Sequence, residues 1–224
     1  EPLSRSYFKL WEMLYDFNLI NDKRVLNIAT LAEGPGGFLE AIVNYRTKLQ
    51  FKDNIHAITL KSYNKDIPGW NKSTYFLKKN NHINVHYGSD NTGNLYKLNN
   101  ILNFKQNFNT NKADFITADG GFDFSYNFNK QEQMSYRILF CEIVTALSIQ
   151  SIGGSFICKF FDIYTNITHS YLALLSYFYK EVYITKPYTS RPANSEKYIV
   201  CKKFKGIDRV FLEKLYIIVN NWEY

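Results

Sequence analysis

The chain has 224 residues, of which 46% are hydrophobic and 21% are charged. This composition is typical of a globular protein and excludes disorder as the main state. The length predicts about one domain with one sizeable core. The chain contains no run of about 18 apolar residues, so no membrane-spanning segment is expected. Residues 1–6 lack the basic and apolar pattern of a signal segment.

Charge and cysteine content narrow the class of protein further. There are 27 Lys and Arg against 20 Asp and Glu, and the net charge of +7 favours an anionic partner. Cys141, Cys158 and Cys201 have neither zinc-site spacing nor the density of a disulfide framework, so we expect a reducing compartment and no metal. Abundant Asn, Lys, Tyr and Phe match A/T-rich codons, so basic residues among aromatics are weak signs of nucleic-acid binding.

Strand-like and helix-like segments alternate along the chain. Ser4 is the expected N-cap of an opening amphipathic helix. Seven strands are expected at 24–30, 55–60, 83–87, 114–118, 155–160, 181–185 and 197–203. Further helices are expected at 38–46, 94–103, 131–150, 168–179 and 208–222, with a basic loop around Pro68 and Gly69.

This order predicts an α/β fold that is Rossmann-like and doubly wound, with a mostly parallel seven-stranded sheet and helices on both faces. We expect one domain over 1–224, with a leading helix in 1–22, an α/β core in 23–205 and a C-terminal helix in 206–224. Ligands of such folds bind at the carboxyl ends of the strands. That rule selects the glycine turn after strand one, Asp119 after strand four and Lys159 near the end of strand five.

The glycine turn, AEGPGGF at residues 32–38, can be interpreted in four ways. A P-loop is rejected because no Gly-Lys-Ser/Thr follows. A dinucleotide site is disfavoured, since the third glycine and the acid at the end of strand two are both missing. An S-adenosylmethionine site fits better, because Glu33 beside the glycines suits a cationic ligand. A tight turn without any ligand is the remaining alternative.

The glycine turn and four further motifs carry a resemblance to a known family. AEGPGGF after a strand resembles the first motif of FtsJ-like RNA ribose 2′-O-methyltransferases, and the likeness covers nearly the whole chain. The other four motifs also stand in family order, with SRSYFKLWEM before this turn and ITADGGFD, GGSFICKFF and SRPANSEKYIVC after it. The resemblance implies the fold of S-adenosylmethionine-dependent methyltransferases and a catalytic Lys-Asp-Lys-Glu tetrad at Lys9, Asp119, Lys159 and Glu196. Each residue alone has an ordinary structural interpretation, although Lys159 in a buried strand needs an exit or a partner.

The resemblance also implies the cofactor site. The residues expected to contact S-adenosylmethionine are Glu33, Gly34, Pro35, Gly36, Gly37, Phe38, Thr59, Asp90 and Asp119. Asp90 would accept from the adenine amino group, with a plain turn as its alternative. Strand two ends in Thr-Leu-Lys, without the acid that many methyltransferases place against the ribose. This departs from the bacterial ribosomal branch and looks like the cap-modifying branch.

The chemistry implied for Lys159 is that of a general base. It can take a proton from a ribose hydroxyl only when neutral, which requires its pKa to fall from about 10.4 by roughly 2 to 3 units. Burial and Lys9 would lower that pKa, whereas Asp119 and Glu196 would raise it. The family interpretation makes Lys9, Asp119 and Glu196 the residues that tune and orient Lys159.

Two stretches concentrate positive charge beside the predicted site. Residues 46–79 carry a local charge of +6, and residues 180–205 carry +5, so both could form an RNA track or simply a solvated face. A capped RNA end could stack its purine on Trp70, Tyr63 or Tyr188.

The resemblance therefore implies an RNA 2′-O-ribose methyltransferase that acts on the first transcribed nucleotide of capped mRNA. Expected partners are RNA and a capping enzyme, with neither membrane nor DNA. The A/T-rich composition and the cap-branch features together resemble those of a large cytoplasmic DNA virus, which implies a location in host cytoplasm or virion. Alternatives are a ribosomal or transfer RNA 2′-O-methyltransferase, a non-catalytic RNA-binding subunit of a capping complex, and a small-molecule methyltransferase.

Overall fold

The computed structural model describes residues 1–61, 69–121 and 130–222, without the side chain of Asn71. The seven strands are β1 (Asn27–Leu31), β2 (Asn54–Ile58), β3 (Ile83–His86), β4 (Ala113–Ala118), β5 (Gln150–Phe160), β6 (Tyr179–Thr185) and β7 (Lys197–Phe204). The helices are α1 (Ser6–Asp16), α2 (Gly37–Lys48), α3 (Thr74–Lys79), α4 (Leu98–Lys105), α5 (Gln131–Ile149), α6 (Asn166–Phe178) and α7 (Arg209–Asn220). No helix of the described ranges is long and apolar enough to cross a membrane.

The strands form one sheet in the order β3-β2-β1-β4-β5-β7-β6. Strands β1 to β5 are parallel to one another, and β7 runs antiparallel to both β5 and β6. The chain builds outward from β1 to β3 and then returns to place β4 on the other side of β1. This reversal opens a crevice at the carboxyl ends of β1 and β4, where doubly wound folds bind ligands.

Two apolar layers cover the sheet, as a buried mostly parallel sheet requires. One layer packs α4, α5, α6 and α7 against the sheet through residues such as Phe104, Leu147 and Leu215. The other packs α1 and α2 against the opposite face through residues such as Leu14 and Phe38. Helices on both faces confirm the fold class expected from the sequence.

The structure corrects several expected boundaries. Ser4 does not cap α1, because the helix begins at Ser6 and the Ser4 hydroxyl pairs with that of Ser6 at 2.5 Å. Strand β1 begins three residues later than expected, since the Leu26 and Asn27 amides donate to the side chains of Asp53 and Asp114 instead of to a strand.

Two further segments differ from the sequence prediction. Strand β5 begins at Gln150 rather than 155, and a register shift between Ala113 and Phe115 of β4 accommodates its glycines. The expected basic loop contains a 3-10 turn over Trp70–Ser73 that leads into the short helix α3. Pro68 lies outside the described residues.

Candidate active site

The adjacent strands β4 and β5 bring Lys159 and Asp119 together. Asp119 directly follows β4, and Lys159 is the second-last residue of β5. The Lys159 Nζ lies 3.4 Å from Asp119 Oδ1 and donates to the Asp119 backbone oxygen at 3.0 Å. Their side chains are only 13% and 15% exposed. The lysine that interrupts this apolar strand therefore has a carboxylate partner at the edge of the sheet.

Helix α1 and the segment before β7 supply a second ion pair. Lys9 Nζ lies 2.6 Å from Glu196 Oε1, and the Ser190 hydroxyl donates to the same oxygen at 3.2 Å. Antiparallel pairing places Tyr198 opposite Lys159, and the Tyr198 hydroxyl donates to Asp119 Oδ1 at 3.1 Å. All four residues expected to form a tetrad thus lie in one cluster around the end of β5.

The carboxylates determine the charge state of Lys159. Burial lowers the pKa of its ammonium, but Asp119, Glu196 and Glu142 raise it by more, so the pKa lies above its usual value. Burial also acts on Glu196, yet the hydrogen bond from Lys9 and the charges of Lys9 and Lys159 hold the pKa of this carboxyl below its usual range. In this arrangement Lys159 carries its proton at neutral pH, the opposite of the state that a base needs.

Glu142 is a site residue that the sequence reasoning missed. This fully buried residue of α5 accepts from the Gly120 amide at 3.1 Å and lies within 3.6 Å of the Cys158 thiol. Burial is the main reason why its pKa rises to about 8, and Lys159 partly opposes this shift. A single acid within the apolar run FCEIVTALSI was the signal available in the sequence.

The glycine turn follows β1 and leads into α2. Glu33 is buried, and its Oε1 accepts from the amides of Phe38 and Leu39 at 2.8 and 3.3 Å. Its Oε2 has no hydrogen-bond partner among the described groups. Burial and the charge of Asp119 raise the pKa of Glu33. A buried acceptor without a donor is costly, so this oxygen fits a ligand that brings a cationic donor.

Backbone geometry explains the glycines of this turn. Gly36 has φ +107°, a conformation that favours glycine, and a Cβ there would lie 3.1 Å from the ring of Trp70. The amide of Gly34 donates to the Thr59 hydroxyl at 3.2 Å, which ties the turn to the end of β2. Gly34, Pro35, Gly36, Gly37, Phe38 and Thr59 thus share one edge of the sheet.

Asp90 lies in the loop after β3, at the same edge. Its Oδ2 accepts from Lys97 Nζ at 2.6 Å, and its Oδ1 accepts from the Thr92 hydroxyl and the Asn100 amide at 2.6 and 2.9 Å. The hydrogen bonds from Lys97 and Thr92 hold the pKa of Asp90 well below its usual range. Asp90 therefore orders its own loop, and its contact with adenine stays a prediction.

Many cations of the two basic stretches serve the fold. Arg46 is buried in a pair with Asp53. Lys186 donates to Asn194 and to the Glu196 backbone oxygen, and Lys202 donates to the Phe17 backbone oxygen. These three cations therefore have partners within the fold, and of the three only Lys186 is exposed.

The aromatic candidates have different surroundings. Trp70 is only 8% exposed, whereas Tyr188 is 98% exposed. Tyr63 lies outside the described residues. All three cysteines are buried and free, and the described part of the chain contains no group of three or more His, Cys, Asp or Glu that could hold a metal ion.

The model of the FtsJ-like methyltransferase family matches residues 2–204. The chain belongs to this family. It is 36% identical over 207 residues to human cap-specific mRNA (nucleoside-2′-O-)-methyltransferase 1, covering 88% of this chain and 24% of that protein. The enzyme of the same name from Dictyostelium discoideum is 35% identical over 183 residues, covering 76% and 24%. This FtsJ-like chain thus spans about a quarter of the length of these relatives.

Solved structures support the fold of this FtsJ-like methyltransferase. A Plasmodium falciparum protein assigned as a ribosomal RNA methyltransferase superposes with a TM-score of 0.60 at 24% identity, covering 91% of this chain and 99% of that one. Human methyltransferase-like protein 13, solved with SAH, gives 0.52 at 13% identity, covering 96% and 88%. The predicted family and methyltransferase fold are confirmed, and both support S-adenosylmethionine as the cofactor.

Proposed function

We propose that the protein is an S-adenosylmethionine-dependent RNA 2′-O-ribose methyltransferase that acts on the first transcribed nucleotide of capped mRNA. The observation that carries this proposal is the convergence of Lys9, Asp119, Lys159 and Glu196 at one edge of the sheet. The 36% identity with cap-specific enzymes supports this choice of substrate. Location in host cytoplasm or virion stays a prediction.

The residues of the glycine turn fit the cofactor. Glu33 Oε2 is a buried acceptor without a hydrogen-bond partner among the described groups, and the glycines of the turn allow a ligand to approach the backbone. Glu33 would hold the amino group of the methionyl moiety, and Thr59 and Asp90 line the ends of β2 and β3. S-adenosylmethionine, when bound, supplies a methyl group on a sulfonium cation, an electrophile that needs no metal.

Lys159 is the general base of the proposed reaction. In its neutral form, its Nζ would accept the proton of the ribose 2′-hydroxyl while the oxygen bonds to the methyl carbon and the carbon–sulfur bond breaks, so that the cofactor would leave as a neutral thioether. Asp119 holds the Nζ in place through its backbone and side-chain oxygens. Lys9 pairs with Glu196 and thereby limits how strongly this carboxylate retains the proton on Lys159. Orientation of the hydroxyl supplies much of the remaining rate.

The cofactor assignment predicts the effect of Glu33→Gln. The amide oxygen keeps the cap of α2, but the second oxygen becomes an NH₂ donor that repels an ammonium. Because hydrogen bonds to charged groups contribute about 1.5 to 3 kcal/mol, we expect roughly 10- to 150-fold weaker binding of S-adenosylhomocysteine by calorimetry. The melting temperature should change little, and Glu213→Gln on exposed α7 is the matched control. Unchanged affinity in Glu33→Gln would remove Glu33 from the cofactor site.

The carboxylates around Lys159 predict a pH dependence. Since only the neutral lysine accepts a proton and its pKa is raised, the rate should rise with pH through the alkaline range. Glu196→Gln removes one of the charges that raise this pKa and leaves Lys9 unpaired. Both effects lower the pKa of Lys159, so the rising limb of the kcat profile should move to lower pH, even if the maximal rate falls. If the rising limb of the kcat profile stayed at the same pH in Glu196→Gln, Glu196 would have only a structural role and would not tune the pKa of Lys159.

Methyl transfer to matched RNAs tests the whole proposal. Labelled S-adenosylmethionine is supplied with a capped RNA, the same RNA uncapped, and the capped RNA already methylated at the first ribose. We expect transfer to the first RNA alone. Equal transfer to capped and uncapped RNA would instead favour a ribosomal or transfer RNA enzyme. Binding without transfer to any RNA would favour a non-catalytic subunit of a capping complex.

A further inference from the structure

Two loops at the carboxyl edge of the sheet share an arrangement that the proposed reaction does not use. Each loop contains a Tyr-Thr dipeptide, Tyr164-Thr165 after β5 and Tyr188-Thr189 before β7. In each case one glutamate carboxylate accepts the tyrosine amide, the threonine amide and the threonine hydroxyl. We call these two arrangements the carboxylate clamps.

The first clamp is Glu132, a buried residue in the first turn of α5. Its Oε1 accepts from the Tyr164 amide at 2.9 Å, the Thr165 amide at 2.8 Å and the Thr165 hydroxyl at 2.9 Å. The second clamp is Glu12 of α1. Its Oε1 accepts from the Tyr188 amide at 2.7 Å, and its Oε2 accepts from the Thr189 amide and hydroxyl at 3.1 and 3.0 Å.

Both tyrosine rings remain in solvent although their backbones are held. Tyr164 is 82% exposed and Tyr188 is 98% exposed. Neither ring stacks on another aromatic ring of the described ranges. A buried tyrosine would stabilise the fold through its large apolar area, so these side chains contribute little to folding. An exposed ring on a backbone that is held by hydrogen bonds is suited to stacking on a ligand.

Strand pairing brings the start of the loop after β5 and the end of the loop before β7 together next to Lys159. Phe160 at the end of β5 pairs with Lys197 at the start of β7, and Lys197 Nζ lies 3.4 Å from Asp162. The Ser195 hydroxyl donates to Gln131, the neighbour of Glu132, at 2.6 Å. The second clamp and the tetrad also share a helix, because Glu12 follows Lys9 by about one turn of α1.

We propose that Tyr164 and Tyr188 stack on RNA bases that flank the methylated nucleotide, and that Glu132 and Glu12 are positioning residues that hold them there. The inference rests on the proposed function, because it takes RNA as the substrate. Single-stranded RNA is bound by aromatic rings together with nearby cations. Arg191, an exposed residue three positions after Tyr188, supplies such a cation.

Binding of a capped eight-nucleotide RNA, measured by fluorescence anisotropy with S-adenosylhomocysteine present, tests the stacking. Stacking on one base is worth a factor of about 5 to 150 by alanine substitution. We therefore expect Tyr164→Ala and Tyr188→Ala to weaken binding by at least about fivefold, and the two Phe variants to bind like the wild type. Tyr177→Ala, at an exposed tyrosine near the opposite end of α6, is the matched control and should change nothing.

Abasic substitutions identify the stacked bases. RNAs that lack one base at each of the first four nucleotides are compared between wild type and each Ala variant. At the stacked position the loss of the base should abolish the difference between wild type and variant. If the Ala variants bind as tightly as the wild type, or if no abasic position removes the difference, the stacking inference is wrong.

A double-mutant comparison tests the clamps. If Glu12 acts through Tyr188, Glu12→Ala should weaken RNA binding, and the double variant Glu12→Ala/Tyr188→Ala should bind no worse than Tyr188→Ala alone. Additive losses would overturn the positioning role. A wild type that binds RNA as described but transfers no methyl group would contradict the proposed function and leave the stacking inference standing. A wild type that binds no RNA would overturn both.

Discussion

Lys159→Met should reduce kcat for methyl transfer by about 10²- to 10⁴-fold, the usual contribution of a general base. Methionine has a similar length and apolar stem but cannot accept a proton. The ribose hydroxyl would then lose its proton only to water, in a site where the lysine stem is largely buried. Turnover of labelled methyl groups at saturating RNA measures the effect.

Lys159→Arg separates base chemistry from charge. The guanidinium keeps a positive charge beside Asp119 but stays protonated at all working pH values. We therefore expect this variant to be as inactive as Lys159→Met. If Lys159→Arg kept more than about a tenth of the activity, Lys159 would be a positioning cation and another group would take the proton.

Two controls accompany this pair of variants. Lys197→Met removes a nearby, partly exposed lysine from its pair with Asp162 and should retain most activity. Calorimetric binding of S-adenosylhomocysteine shows whether the cofactor site is intact in each variant. The melting temperature should be followed as well, because Lys159→Met leaves Asp119, Glu142 and Glu196 without their shared cation.

The strand-helix alternation and four ordered motifs were enough to predict the fold and to bring Lys9, Asp119, Lys159 and Glu196 to one site. The location of the site can be predicted from the sequence because the carboxyl ends of parallel strands meet at one edge of the sheet. Glu142 was missed because sequence alone does not show which face of α5 lies beneath Gly120. The direction of the Lys159 pKa shift depends on distances to three carboxylates, and no motif encodes those distances.

Other differences arise from interactions between distant segments. The start of β5 was misplaced because Gly153 and Gly154 are typical of a turn, whereas neighbouring β4 shifts register to keep them in a strand. Helix α3 has six residues and none of them buried, so it shows no apolar period to detect. The clamps of Glu12 and Glu132 join residues 176 and 32 positions away, respectively, and only the tertiary structure reveals them.

Arg46→Met should lower the free energy of unfolding by about 3 to 5 kcal/mol, the usual cost of leaving a buried charge unpaired. The Arg46 side chain is 1% exposed and binds Asp53 through two hydrogen bonds, at 2.7 and 2.9 Å. Its other three N–H groups donate to the backbone oxygens of Ile20, Asp22 and Arg24. One guanidinium thus donates hydrogen bonds to three carbonyl oxygens of the loop that leads into β1. Methionine at this position would leave these oxygens and the Asp53 carboxylate without that donor.

Urea unfolding measures this loss as a fall in the transition midpoint at constant slope. Arg209→Met is the matched control, because Arg209 is an exposed residue whose pair with Glu213 lies within one helix, and such pairs contribute about 0.3 to 0.5 kcal/mol. Arg46→Lys keeps the charge but loses the bidentate geometry, so its loss in the free energy of unfolding should lie between those of Arg46→Met and Arg209→Met. Arg46 lies at the opposite edge of the sheet from Lys159. The folded fraction of Arg46→Met should therefore keep its methyl-transfer rate, and a loss of less than about 1 kcal/mol would contradict this account of the buried pair.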